Sequence, residues 1–360
     1  MSTKRILAAC ILFAVAVVST VRAGEREIMS TGPKGEKAAN ARILTLTDEE
    51  IAKIRAGNHT AAICFHYSGD DWSRAQQEGL KDAFGKLGIR ILAVTDANFK
   101  VEQQVSDIES VLALDPDILI SIPVDPVSTA PAFRKAAEAG VKIIFMDNCP
   151  ADMEQGKDYV SIVSADNYGN GVVAADIMAE ALGGKGNIGV IYHDASYFVT
   201  NQRVAAFEKT IKEKYPDIKI IDRGGFDDPN KVADIADAMF VRSPELNGIF
   251  ANWDIPAEAV VSSAIAMGRD DIVVTTIDLG DNVARIIAQG GLVKGLGAQL
   301  PYDQGQAEAI LAAYALLGKE VPPYVAVPAL PVTRDNILEA YKQVYHKDAP
   351  DWLVEAAREQ

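Results

Sequence analysis

The stretch AAICFHYSGDDWSRAQQEG, residues 61–79, contains an apolar run, a short polar segment and then a region of helical character. The polar segment carries His66, Asp70 and Trp72. In an open α/β sheet, ligands bind just beyond the carboxyl ends of the strands, where such segments meet. We therefore expect a strand, a loop and a helix here, with the loop forming one wall of a small-molecule site.

The same alternation of strand and helix continues along the chain. Each expected strand is a run of Ile, Leu, Val and Ala without period-two alternation, which is typical of parallel strands covered by helices on both faces. The pattern restarts near residue 159 and gives about twice the strand count of one small doubly wound domain. We predict an α/β fold of two similar doubly wound, parallel-sheet lobes. The expected strands are 61–66, 90–94, 117–122, 141–146, 159–164, 187–192, 218–221, 247–251, 272–277 and 292–299.

The N-terminal region differs from everything that follows. Lys4 and Arg5 precede the apolar run ILAACILFAVAVV, and small residues lead to Ala23. This pattern predicts a secretory signal peptide over residues 1–23, cleaved after Ala23. The alternatives are an N-terminal membrane anchor, although the run is shorter than the ~20 residues that span a bilayer, and a lipid anchor at Cys10.

The segment between the signal peptide and the first strand forms an N-terminal extension, residues 24–59. Residues 24–45 are polar without a clear period and predict a mobile lead-in. Thr47 and Glu50 then fit a capping box, which predicts a short helix through about Ala56.

Charge and cysteine usage narrow the function classes. The formal net charge is −15, so few cationic groups are available to neutralise nucleic-acid phosphates, and no nucleic-acid partner is expected. Cys64 and Cys149 remain after the signal peptide; a disulfide between them suits an oxidising compartment, but a buried free thiol is the simpler expectation for Cys64. The four histidines are scattered and no CxxC occurs, so the sequence predicts no metal site and no cofactor.

Two features of the sequence are also compatible with an enzyme. Residues 169–174, GNGVVA, fit the GxGxxA pattern of dinucleotide-binding enzymes. A secreted chain has little access to recycled nicotinamide, so we assign these glycines to close helix packing. The many carboxylates leave a secreted carbohydrate-active enzyme as the alternative function.

Seven further stretches carry specific patterns. They are IIFMDN (143–148), SADNYGNG (164–171), Gln202-Arg203 with Phe207, GGFDDP (224–229), IFANWD (249–254), VTTIDLG (274–280) and GAQLPYDQG (297–305). From Ala61 to about Thr333, the chain thereby resembles the periplasmic sugar-binding proteins of ABC importers, in the type I, ribose-binding-protein-like family. LacI-type repressors share this fold, but no helix-turn-helix precedes it here. The resemblance implies two lobes, joined by a three-strand hinge, that close over one sugar.

The resemblance also implies domain boundaries and partners. It divides the chain into an N-terminal lobe (60–165 plus 300–328), a C-terminal lobe (166–299 plus 329–345) and a tail (346–360). It implies a periplasmic monomer without catalysis that captures a small neutral sugar or polyol and delivers it to an ABC permease. A chemoreceptor or sensor kinase is the alternative recipient of the signal.

Carried over position by position, the resemblance implies a set of ligand contacts whose chemistry suits a sugar. Flat aromatic side chains match the C–H faces of a sugar ring, and carboxylate, amide and guanidinium groups bind its hydroxyls in fixed geometry. Asp254 precedes Ile255-Pro256, so we assign it to a helix cap instead. The implied contacts are Asp70, Trp72, Ser73, Asp147, Asn148, Arg203, Phe226, Trp253, Asp278 and Gln299.

The chain departs from the ribose-type pattern at four positions. His66 stands where a serine is usual, Asp70 where an asparagine is usual, Asn148 in place of an arginine and Trp253 in place of an asparagine. The site therefore has more acid and one guanidinium fewer. We expect a hydroxyl-rich neutral ligand, or one that carries an amine, because an acidic ligand would be repelled. His66 joins the candidate ligand-binding residues for this reason.

Overall fold

The computed structural model describes residues 27–358, so the predicted signal peptide lies outside the described residues. These residues fold into two mostly parallel sheets with helices around them, which confirms the predicted α/β class. No helix in this range has both the length and the apolarity to cross a bilayer. The seven strands of the first sheet, in spatial order and all parallel, are β1 (Ala39–Asn40), β12 (Tyr324–Val327), β6 (Ser161–Ala165), β5 (Lys142–Met146), β4 (Ile118–Ser121), β2 (Thr60–Phe65) and β3 (Arg90–Asp96).

The second sheet repeats this arrangement with one exception at its edge. Its last strand along the chain, β13, pairs antiparallel with its neighbour, and the other pairs are parallel. In spatial order the six strands found within 27–358 are β13 (Leu330–Thr333), β11 (Val293–Ala298), β10 (Val273–Ile277), β9 (Gly248–Ala251), β7 (Gly186–His193) and β8 (Ile218–Phe226).

Helices connect the strands, and some of them begin at a side-chain cap. Asp70 accepts from the Ser73 amide at the start of α2, and the Thr47–Glu50 capping box is present at the start of α1, as predicted. The helices are α1 (Asp48–Ala56), α2 (Asp71–Leu87), α3 (Val101–Leu112), α4 (Ala130–Glu138), α5 (Asn167–Ala181), α6 (Phe198–Lys214), α7 (Val232–Arg242), α8 (Asp254–Ala266), α9 (Asp281–Ala288), α10 (Pro301–Leu317), α11 (Ile337–Tyr345) and α12 (Asp351–Arg358).

Successive residues of the central strands face two separate cores. In β2, Ala61, Ile63 and Phe65 pack into one core and Ala62 and Cys64 into the other, all fully buried. Burial on both faces explains why these runs are apolar without alternation. The edge strand β8 alternates exposed and buried residues instead. Charged residues in its second half interrupt the apolar run, so the predicted strand, 218–221, was too short.

The chain passes between the two sheets three times. It leaves the first sheet after β6, returns after β11, and crosses again between β12 and β13. We propose these crossings as the hinge, with the lobe boundaries predicted above on either side of them.

The two lobes touch across the cleft, so the structure is a closed arrangement. The Asp281 amide, at the start of α9, donates to Asp71 Oδ2 over 2.9 Å. The Tyr197 hydroxyl donates to the Val124 carbonyl, and Lys347 pairs with Glu78. These contacts lie at several points around the cleft and hold it shut from more than one side.

The expectation of a mobile lead-in over 24–45 is wrong for its described part. Ser30 is buried, and its amide and hydroxyl donate to Asp166 over 2.8 Å each. Residues 39–40 add β1 to the edge of the first sheet. We call residues 27–43 the N-terminal strap. A segment that is ordered by long-range contacts needs no internal hydrophobic period, so its order could not be predicted from the local sequence.

The predicted C-terminal tail, residues 346–360, contains a helix. Residues 351–358 form α12, and Leu353 and Ala356 are buried in the core of the second lobe. Cys64 and Cys149 are both free, so the alternative of a disulfide is not realised. Of the GxGxxA glycines, Gly171 serves helix packing, because a Cβ there would lie 2.3 Å from the Arg203 carbonyl oxygen on α6.

Candidate functional site

The predicted site residues gather where the parallel strands end. His66 follows β2, Asp147 follows β5, and Asp278 follows β10. Phe226 ends β8 and Gln299 follows β11. Carboxyl ends of parallel strands are the usual position of ligand sites in open α/β sheets, and here the two sets of strand ends meet across the cleft.

Asp278 is the centre of the polar network on the second lobe. Its Oδ2 accepts from Arg203 Nη1 over 3.2 Å, and its Oδ1 accepts from Gln299 Nε2 over 2.8 Å. Arg203 is itself 4% exposed and also donates through Nε to Asn167 Oδ1 over 2.8 Å. Three of the predicted residues are therefore brought together in one buried network.

Asp147 occupies the matching place on the first lobe. It accepts from the Ser164 hydroxyl over 2.6 Å and lies 3.5 Å from Gln304 Nε2. Burial raises the pKa of Asp147 to about 6, against the opposing effects of Ser164 and Arg203. The next residue, Asn148, is buried, and neither of its side-chain polar atoms has a hydrogen-bond partner among the described residues.

Both strand-end aspartates adopt left-handed backbone conformations. The φ angle is +53° at Asp147 and +72° at Asp278. Non-glycine residues with positive φ are uncommon, and aspartate tolerates this region better than most because its short side chain can hydrogen-bond locally. The shared geometry turns the two carboxylates out of their sheets at equivalent positions of the two lobes.

In the loop between β2 and α2, some residues hold the helix start and others face the cleft. Asp70 Oδ1 accepts from both the amide and the hydroxyl of Ser73, so these two residues fix the start of α2 together. Burial raises the pKa of Asp70, and the nearby Asp278 charge adds to the rise. Trp72 is half-buried, and its Nε1 has no partner within 27–358.

His66 directly follows β2 and packs against Trp72. Burial lowers the pKa of His66 to about 4, and the like charge of His193 acts in the same direction. Trp72 lies edge-on to His66 at 6.4 Å between ring centroids. His66 is therefore neutral at physiological pH, with a buried and unpartnered Nδ1.

Aromatic rings from the second lobe form a cluster around His193. Trp253 and Phe226 are 5.0 Å apart, and His193 lies 5.4 Å from Trp253. Phe226 is almost fully buried in the core, whereas Trp253 is half-buried at the start of α8. Trp253 is thus the better placed of the two to meet a ligand face.

The assignment of Asp254 to a helix cap is wrong. The cap position of α8 belongs to Trp253, which makes no side-chain cap bond, and Asp254 is the first helical residue. Asp254 is 9% exposed and lines the cleft cavity. Its Oδ1 accepts from the Ile255 amide over 2.9 Å. The sequence pattern placed the helix start one residue too late.

A small cavity lies between the lobes beside this network. Its volume in the closed structure is about 10 Å³, far below the 300–1,000 Å³ typical of drug-sized ligands. Two larger depressions lie at the amino ends of the strands, one near Lys142 and one near Asn187, and contain none of the predicted site residues. The cavity is lined by Trp72, Asp254, Asp278, Leu279, Gly280, Gln299, Pro301, Val344 and Tyr345.

Several buried polar atoms around the closed cleft have no hydrogen-bond partner. Buried polar groups in native proteins are nearly always hydrogen-bonded, so each exception needs an explanation. Within residues 27–358, those at the cleft, on strand ends or on α2 and α10, are His66 Nδ1, Trp72 Nε1, both polar atoms of Asn148, His193 Nδ1, both polar atoms of Asn252, Gln299 Oε1 and Gln304 Oε1. They come from both lobes and offer donors and acceptors to the same region.

A family model for the periplasmic binding protein domain matches residues 61–320. The chain belongs to this family. The ribose import binding protein of Bacillus subtilis is 24% identical over 253 residues, 70% of this chain and 80% of that protein. The xylitol-binding protein of Mycolicibacterium smegmatis is 24% identical over 274 residues, 74% and 75% of the two chains.

Solved structures support the same fold for this periplasmic binding protein. An ABC transporter solute-binding protein from Agrobacterium vitis, solved with α-D-tagatopyranose bound, superposes with a TM-score of 0.73 at 23% identity. The match covers 81% of this chain and all of that one. The type I periplasmic binding protein fold predicted from the sequence is thereby confirmed.

Sequence reasoning missed several cleft residues of this periplasmic binding protein. His193 ends β7 and Asn252 follows β9, so their position alone could have singled them out, as it did Asp147. Tyr345 lines the cavity from α11, far along the chain, and carried no local signal. Across the described range, no three side chains of His, Cys, Asp or Glu are placed to hold a metal ion.

Proposed function

We propose that this chain is the solute-binding component of an ABC importer, and that it captures a small sugar or polyol in the cleft. It would work in the periplasm after cleavage of the signal peptide and deliver its ligand to the membrane permease. The names of the relatives support this class of ligand, because they include a ribose and a xylitol binder.

One observation carries the proposal: the unpartnered buried polar atoms of the closed cleft. Left alone, each would cost roughly 1–3 kcal/mol of desolvation. A polyhydroxylated ligand can satisfy them, because every hydroxyl both donates and accepts. Asn148 and Gln304 supply such atoms from the first lobe, and Asn252 and Gln299 from the second-lobe side of the cleft.

The aromatic side chains complete the match with a sugar. Trp72 comes from the first lobe and Trp253 from the second, and both are half-buried at the cleft. Such rings cover the apolar C–H faces of a sugar while the amides and carboxylates bind its edge. A ligand held in this way contacts both lobes at once.

Contact with both lobes provides the mechanism of transport. A ligand can shift an opening equilibrium only by binding one state better than the other. The closed state brings Asp147 and Asp278 to the same cleft, and the interlobe bonds from Asp281 and Tyr197 form with it. Closure at the hinge then gives the permease a shape that differs from that of the empty protein.

A thermal-shift panel of pentoses, hexoses, sugar alcohols, inositols and amino sugars tests the proposal. We expect at least one compound to raise the Tm of the wild type, with no turnover of that compound. Trp72→Ala should abolish the shift, because it removes one ring face of the cleft. Trp352→Ala, at a half-buried tryptophan in α12, is the matched control and should keep it.

The two contrary results have different meanings. Product formation would favour the alternative of a carbohydrate-active enzyme. A panel in which no sugar or polyol raises the Tm would contradict the proposed function.

A further inference from the structure

Three carboxylates gather at one end of the cleft. Asp254 and Asp278 line the cavity, and Asp70 approaches them from the loop before α2. Burial and the like charges of Asp278 and Asp70 raise the pKa of Asp254 well above its ordinary value. The fold therefore places these three carboxyl groups close together although their negative charges repel one another.

Within residues 27–358, Asp278 is paired with the Arg203 guanidinium, whereas no cation is among the groups that act most on the pKa of Asp254. Arg74 pairs with Asp71 and only partly offsets the rise in the pKa of Asp70. The charged neighbours that act most on Asp254 are the carboxylates of Asp278 and Asp70, followed by Glu258. An ionised carboxylate buried without a cation is costly, so closure over a neutral ligand would favour a protonated Asp254.

The other cavity walls suit a cation. Gln299 is 3% exposed, its Nε2 is used by Asp278, and its Oε1 is an acceptor without a partner among the described residues. The rings of Trp72 and Tyr345 line the same cavity. Acceptor oxygens beside aromatic faces are the surroundings that bind ammonium groups, which donate three hydrogen bonds and accept none.

We propose that the captured ligand carries a primary ammonium group, bound by the Asp254 carboxylate and Gln299 Oε1 beside the Trp72 ring, and is thus an amino sugar or amino polyol. This inference rests on the proposed function. The hydroxyls of the ligand reach the amides and Asp147 on the far side, and its ammonium occupies the acidic end. Asp254 is then a specificity-determining residue.

Calorimetric titration with matched ligand pairs tests the inference. The pairs are glucosamine with glucose, galactosamine with galactose, 1-amino-1-deoxysorbitol with sorbitol, and amino-inositol with inositol, all at pH 7. We expect at least one amine to bind tenfold or more tightly than its hydroxyl parent. Its N-acetyl derivative, which has lost the charge, should lose that advantage.

Two variants assign the preference to Asp254. Asp254→Asn keeps an acceptor for the Ile255 amide and removes the buried charge, so it should fold and bring the amine-to-parent affinity ratio close to one. Glu258→Gln is the control, because it removes a carboxylate from the same helix whose Oε2 is bonded to Asn282. The control should keep the ratio.

The outcomes separate the inference from the proposed function. If the hydroxyl parent binds as tightly as the amine or more tightly in every pair that binds, the inference is wrong and the proposed function stands. If the ratio survives Asp254→Asn, the assignment to Asp254 is wrong. If neither member of any pair binds, the inference is wrong, and the wider thermal-shift panel decides separately whether the proposed function stands.

Discussion

Asp147 and Asp278 show how one residue type serves two lobes in different ways. Both follow a central strand with a positive φ, so both carboxylates turn toward the cleft. Asp278 is held by a guanidinium and an amide, whereas Asp147 is held by a hydroxyl and a distant amide. Asp278 is thus paired with a cation, whereas burial raises the pKa of Asp147 to about 6.

Glu308 is a further buried carboxyl group of the first lobe, near Asp147. It lies on α10, is fully buried, and accepts from the Gln76 side-chain amide of α2. Burial raises the pKa of Glu308 well above its ordinary value, and Asp147 adds to the rise. An acid with a pKa raised by folding favours the folded state below its unfolded pKa, and this contribution is lost as the pH rises above it.

We predict that Glu308→Gln stabilises the protein at pH 8. The glutamine keeps the acceptor for Gln76 and cannot ionise, so the free energy of unfolding should rise by on the order of 1 kcal/mol or more. At pH 4 the wild-type glutamate is neutral and the gain should vanish. Urea unfolding at both pH values measures this, with the exposed Glu320→Gln as control. Equal stability of the variant and the wild type at pH 8 would contradict the prediction.

At the scale of the elements, the buried strands were the most predictable feature. The strands β2, β4 and β9 lie within one residue of their predicted bounds, because a strand buried on both faces has a continuous apolar sequence. Elements that depend on distant partners were missed. β1 has two residues, and α12 lies within the segment that was predicted only as a tail.

The site could be predicted only in part for the same reason. Strand ends such as Asp147 and Asp278 are marked by a polar residue directly after an apolar run. The placement of Asp254 depends on where α8 begins, which a proline near the helix start does not fix to one residue. The partnership of Gln76 with Glu308 depends on how α2 packs on α10, and no local pattern encodes it.

Asp166 ties the N-terminal strap to the hinge. Its carboxylate accepts from the Met29 amide over 3.0 Å, from Ser30, and from the Gly169 amide that it caps at the start of α5. The strap also reaches both lobes, because Gln202 donates to the Thr31 carbonyl and Lys34 to the Met153 carbonyl. The strap therefore braces both lobes beside the first crossing.

We predict that Asp166→Ala lowers the free energy of unfolding by about 3 kcal/mol. It removes a helix cap and leaves several buried donors without an acceptor. Thr47→Ala removes an exposed cap at α1 and should cost only about 1 kcal/mol. Urea denaturation of the two variants compares them. A cost for Asp166→Ala no larger than that for Thr47→Ala would show that the strap contributes nothing.

At the scale of the whole molecule, the free energy of cleft closure is a balance between interlobe contacts and the cost of burying polar groups. Burial lowers the pKa of both His66 and His193, one from each lobe, and so favours the neutral form of each imidazole. Without a ligand, closure also leaves the polar atoms of Asn148 and Asn252 buried and unpaired. We therefore expect the empty protein to favour an open arrangement, and the ligand to supply the missing hydrogen bonds.

Small-angle X-ray scattering, with and without the compound that gives the largest thermal shift, tests closure over a ligand most directly. We predict that the empty protein has a larger radius of gyration than the closed structure, and that saturating ligand brings it to the closed value. In Trp72→Ala, the same ligand concentration should leave the scattering curve unchanged. A wild-type curve that does not change while calorimetry shows the ligand to be bound would contradict capture by closure of the cleft.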